Sequence, residues 1–93
     1  MSYSLVDSTG FTSHIASVGG MNDLLDFVTR FRVWGPLSTF LDTGETNDIP
    51  AVIKDIVEFV PYVSDPSVRS TLLNLKQALE KSYRWSGRAT IIE

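Results

Sequence analysis

Along residues 65–87 the apolar positions fall at the spacing of an α-helix. Val68, Leu72, Leu75, Leu79 and Tyr83 follow one another at steps of four, three, four and four, which sets them on one stripe. The ends of the run carry helix punctuation. Asp65 suits the N-cap, where its carboxylate accepts first-turn amides, and Pro66 suits the first helical position. Gly87 suits the left-handed residue that follows many helices. At 1.5 Å per residue the predicted helix is about 28 Å long, enough to cross a small domain and serve as its spine.

Other segments read the same way. Ile49, Val52, Ile53, Ile56, Val57 and Val60 alternate steps of three and one, a helical pattern that overrides the strand preference of β-branched residues. Phe59 widens the apolar arc of that helix to about 160°, so it should be covered on two sides. Over 22–34, Asn22 is the expected N-cap, and Leu24, Phe27, Val28, Phe31 and Trp34 share a face. Gly35-Pro36 ends that helix, and one further turn over 36–41 turns Leu37, Phe40 and Leu41 inward. Phe11, Ile15 and Val18 stand at i, i+4 and i+7, predicting a short helix stopped by Gly19-Gly20. Residues 42–48 are polar and predict an exposed loop. Residues 3–6 and 89–92 can pair as two short strands.

The expected fold is therefore mainly α. It is a compact bundle of three longer helices plus one or two short ones, one helical domain over 1–93, with at most a two-stranded pairing of the termini. Composition agrees with a real core, since 43% of residues are apolar and ten are aromatic. There is no cysteine, which excludes a disulfide framework, thiolate zinc sites and cysteine catalysis. The first residues form neither a basic nor an apolar leader, and no apolar run reaches the length of a membrane span. The expectation is a cytoplasmic protein without membrane contact.

Motifs that could carry chemistry are few. Leu41-Asp42-Thr43-Gly44, preceded by Phe40, resembles the active-site signature of retroviral-type aspartic proteases. The resemblance covers this stretch alone and implies a dimer in which Asp42 shares a proton with its mate, the two carboxylates splitting their pKa values. That family is almost all β with a glycine-rich flap, whereas the segments flanking Asp42 are helical in period. An Asp-Thr-Gly triplet is also an ordinary turn after a helix. Asp42, Glu45, Asn47 and Asp48 supply oxygen ligands for calcium but lack the order of an EF-hand loop. His14 is the only histidine, so a zinc site or a triad lacks partners, and no phosphate-cradling glycine motif occurs. No cofactor, metal or small-molecule ligand is implied.

Charge separates along the chain. Its net value is −3, yet residues 42–65 set Lys54 against Asp42, Glu45, Asp48, Asp55, Glu58 and Asp65. Residues 66–93 set Arg69, Lys76, Lys81, Arg84 and Arg88 against Glu80 and Glu93. The basic segment 76–88, interleaved with Tyr83 and Trp85, is the candidate for nucleic acid, which the net negative charge opposes. On the spine helix Leu73 falls off the core stripe, between Arg69 and Gln77. With Trp85, Arg84 and Arg88 it has the composition of a protein contact. The function expected is a non-enzymatic interaction domain of the inhibitor, antitoxin, immunity or assembly-adaptor kind. It would bind a protein partner, or a second copy as a homodimer, through the 66–85 helix at Arg69, Leu73, Gln77, Arg84, Trp85 and Arg88. A nucleic-acid regulator is the alternative, and an aspartic hydrolase at Asp42 a distant third.

Overall fold

The structure, a computed structural model, describes residues 2–31, 35–83 and 87–93. Trp34, Arg84, Trp85 and the Tyr83 side chain, all invoked by the sequence reading, lie outside the described residues. In chain order come β1 (Ser2–Asp7), β2 (Thr12–Ser17), α1 (Val18–Arg30), α2 (Pro36–Thr43) and β3 (Glu45–Thr46). Then follow α3 (Ile49–Phe59), a 3₁₀ turn (Val60–Tyr62), α4 (Pro66–Tyr83) and β4 (Ala89–Ile92). The strands form one antiparallel sheet in the order β2-β1-β4-β3. This is an α+β fold, and it corrects the expected mainly-α helical bundle.

The spine helix forms as its sequence dictates. Asp65 Oδ1 accepts the amides of Ser67 at 2.9 Å and Val68 at 3.4 Å, and Val68, Leu72, Leu75 and Leu79 are all buried. α4 packs against α1, α3, β1 and β2, so the core gathers round it. Asp48 caps α3 through the Ala51 amide at 3.2 Å, and Ile49, Val52 and Ile56 are buried. Val57 stays exposed, so the wide apolar arc of α3 is not covered on both sides.

The sheet is where the expectation fails. β1 and β4 do pair, but as the centre of four strands. Residues 12–17 are strand, not helix. Tyr3 pairs with Ala16 and Ser4 with His14, so Ile15 is an extra residue in a β-bulge. The bulge lets Ile15 and Ala16 both be buried, which erases the two-residue alternation a strand normally displays. Gly19-Gly20 does not stop a helix; it opens one. Ser17 caps α1 through the Gly20 amide at 3.2 Å, replacing the expected cap at Asn22. A Cβ on Gly20 would stand 3.0 Å from Thr71 Oγ1 and 3.3 Å from Ala16 Cβ, so the glycine sets how closely α1 approaches α4. The polar stretch 42–48 is likewise no simple loop. It contains the end of α2, a left-handed Gly44 at φ 81° and the edge strand β3.

The two sheet edges offer few free groups for further pairing where they are short or capped. β3 is two residues long, and on β2 the Asn74 side chain of α4 donates to the Ile15 carbonyl at 3.0 Å. Between β1 and β2, Asp7 closes the turn. Its Oδ1 accepts from the Thr9 hydroxyl, the Thr9 amide at 2.9 Å and the Phe11 amide at 3.0 Å. Asp7 is only 4% exposed. The Thr9 hydroxyl, followed by the turn amides, holds its carboxyl below the usual carboxylate range against the opposing effect of burial. A depressed native pKa gives stability that is present above the unfolded value and disappears as pH falls through the native one. Stability should therefore drop from about pH 4 downward. The Asp7→Ala protein should be less stable at neutral pH and show a shallower loss in that acid window, read by thermal melts across pH. Parallel acid limbs for the two proteins would show that the acid loss does not come from Asp7.

Candidate protein-contact groove

α1 has two working sides. Met21, Leu24 and Val28 are buried in the core, while Asp23, Phe27 and Phe31 form a row at i, i+4 and i+8 that flanks it. Asp26 and Arg30, also four apart, run beside that row. The opposite wall comes from the α3–α4 junction, where Pro61 ends α3 and the chain turns through Val60–Tyr62. Phe59 and Tyr62 project from that junction, and Ser64 and Asp65 lead into α4. Buried Val68 lies beneath. Between the walls runs a groove of about 560 Å³.

The groove is aromatic inside and charged at its rim. The Phe27 and Phe31 rings lie 4.7 Å apart, tilted by 39°. Phe31 is 62% exposed and Tyr62 83%, the two most exposed of the large apolar side chains described. Single exposed apolar residues are ordinary on any surface. Two facing one groove, backed by half-buried Phe27 and Phe59, make a contiguous patch of the kind that marks an interaction site. The walls are tied together: Ser67 Oγ of α4 donates to Asp23 Oδ2 of α1 at 2.7 Å.

The residues singled out by sequence are spread elsewhere. Arg69, Leu73 and Gln77 form one exposed row on α4, and Leu73 is 38% exposed. Gln77 reaches a second, more polar hollow with Phe11, His14 and Lys81, beside β2. Arg88 stands at the other side of the sheet, paired with Glu45 Oε2 at 3.1 Å. Arg84 and Trp85 lie outside the described residues. The structure thus keeps the Arg69–Gln77 row together and sets Arg88 apart from it. The small flank of α4, Thr71, Ala78 and Ser82, is buried within this chain, with Thr71 Oγ1 donating to the Gly20 carbonyl at 3.3 Å. In the basic segment, Lys76 pairs with Glu80 at 2.6 Å.

Asp42 lies exposed in the last turn of α2, Thr43 Oγ1 bonds back to the Thr39 carbonyl at 2.9 Å, and Gly44 is the helix cap. Among the described residues no three His, Asp or Glu side chains are grouped to hold a metal, and no helix is long and apolar enough to cross a membrane. The groove residues were missed because Phe27 and Phe31 continue the core stripe of Leu24 and Val28. The one available signal was Phe59, which stood outside the tidy spacing of its helix. Comparison with protein-family models, curated proteins and solved structures returned no match.

Proposed function

We propose that this chain is a protein-binding domain whose contact surface is the aromatic groove between α1 and the α3–α4 junction. The observation that carries the reading is the convergence of Phe31 and Tyr62, both largely exposed, on one groove with Phe27 and Phe59. Aromatic side chains bring large contact area with few rotatable bonds, and they dominate binding energy at protein interfaces. The groove lies within the size range of ligand clefts, about 300–1,000 Å³, which suits a few inserted side chains of a partner. Arg69, Leu73 and Gln77 form a separate exposed row on α4 that presents a single apolar side chain among polar ones.

A selection of random peptides displayed on phage, with the immobilised full chain as bait, tests this reading. A shared sequence pattern with an apolar residue should emerge. Tyr62→Ser should weaken the selected peptide by about tenfold or more, as loss of an interface anchor does. Because Tyr62 is so exposed, the same change should leave folding stability within about 0.5 kcal/mol. Selected peptides that bind Tyr62→Ser and Phe31→Ser as well as the parent would place the binding surface elsewhere.

A further inference from the structure

Resting on the groove as a protein-contact surface, the structure assigns it one kind of occupant: an amphipathic peptide segment of a partner that carries Lys or Arg beside its apolar residues. The apolar half of that description follows from the rings. The basic half follows from the rim. Among the described residues, Asp23, Asp26 and Asp65 line the groove against Arg30, three carboxylates to one guanidinium. These charges are not scattered. Asp23 and Asp65 both bond to Ser67, one through its hydroxyl at 2.7 Å and the other through its amide at 2.9 Å, so two carboxylates meet at one end of the groove.

The geometry couples charge to ring. Asp23 precedes Phe27 by one helical turn on the same face, so a cation drawn to the Asp23–Asp65 end lies beside an aromatic ring. A guanidinium or ammonium over a ring face gains from the ring quadrupole, and its aliphatic stem can lie on the apolar wall. An acidic segment would instead bring like charges together in a confined space, which costs binding. Arg30 stands seven residues, about 10 Å, further along α1. It gives the groove a positive far end and hence a direction: the basic residue of the segment sits toward Asp23 and Asp65, and an acidic or carboxyl-terminal group toward Arg30.

Three synthetic peptides of equal length decide the matter when titrated into the isotope-labelled full chain and followed by amide NMR shifts. One is an amphipathic Leu/Lys peptide, one replaces each Lys by Glu, and one keeps each Lys but replaces Leu by Ser. The Leu/Lys peptide alone should shift the amides of 23–31 and 59–68 saturably. Its affinity should fall severalfold as salt rises from about 0.05 to 0.3 M, where screening shortens the reach of surface charge. Asp26→Lys should weaken it by about tenfold, and Tyr62→Ser should do the same.

Equal binding of the Leu/Glu peptide, or no effect of salt and Asp26→Lys, would overturn the basic-segment assignment while leaving the groove as the contact surface. Equal binding of the Ser/Lys peptide would reduce the effect to unspecific charge attraction and overturn it too. Concentration-dependent shifts of the same amides in the chain alone, with a dimer by light scattering, would make a second copy the occupant instead. No shift with either amphipathic peptide overturns the assignment, and the phage selection with Tyr62→Ser then decides separately whether the groove binds protein at all.

Discussion

Leu75→Ala should lower the free energy of unfolding by about 2–5 kcal/mol, the cost of emptying a leucine site in a packed core. Leu75 is fully buried near the middle of α4, the helix that touches α1, α3, β1 and β2 at once. None of those elements can close the void without dragging another out of place, which puts the expected value in the upper part of the range. A small domain has about 5–15 kcal/mol to lose, so the variant should be marginal at 37 °C. Denaturant melts give the number. A change below about 1 kcal/mol would mean that α4 is peripheral. Pro66→Ala is the control on the same helix: at the first helical position a missing amide costs nothing, so that change should be nearly silent.

Gly35→Ala should be the most damaging single methyl group added to a loop of this protein. Gly35 has φ 139° and ψ −167°, a conformation open essentially to glycine, and forcing alanine into it costs about 1–3 kcal/mol. The new Cβ would also stand 2.8 Å from Asp55 Oδ2. That oxygen accepts the Leu37 amide at 3.1 Å, so a carboxylate of α3 caps the first turn of α2. Displacing it adds the loss of a cap, about 1 kcal/mol. The expected sum is about 2–4 kcal/mol in denaturant melts. Asp55→Ala should cost only the cap, and it should make the added Gly35→Ala change less harmful than in the parent, because the clash has gone. Strictly additive effects would show that the two residues do not meet in solution.

The helices were legible because their signals are local. Asp65-Pro66 and the Val68, Leu72, Leu75, Leu79 spacing lie within a few turns of one another, and each behaves as written. The sheet was not, because its determinants are distant or disguised. β2 hides its alternation behind the bulge at Ile15, β3 is too short to have a pattern, and β1 finds β4 only across the length of the chain. The groove was illegible for another reason. A helical stripe tells which side is apolar but not where the core stops, and α1 carries its stripe one turn beyond cover, to Phe31. Among the described residues the opposed charges of 42–65 and 66–93 meet as Arg88 and Glu45.

The central strand pair sets the order of folding. Ser4 pairs with Ile92 and Asp7 with Ala89, so the two middle strands come from opposite ends of the sequence. Contacts of such separation are formed late, because most of the loop-closure entropy must be met before any bond is gained. The β1–β2 hairpin and the helices can assemble as the chain is made, whereas the sheet waits for its last-synthesised strand. Until then β1 presents one unpaired edge, and at high protein concentration the strand that satisfies it can come from another molecule. Refolding at high concentration should accordingly trap strand-exchanged dimers that dilute refolding does not.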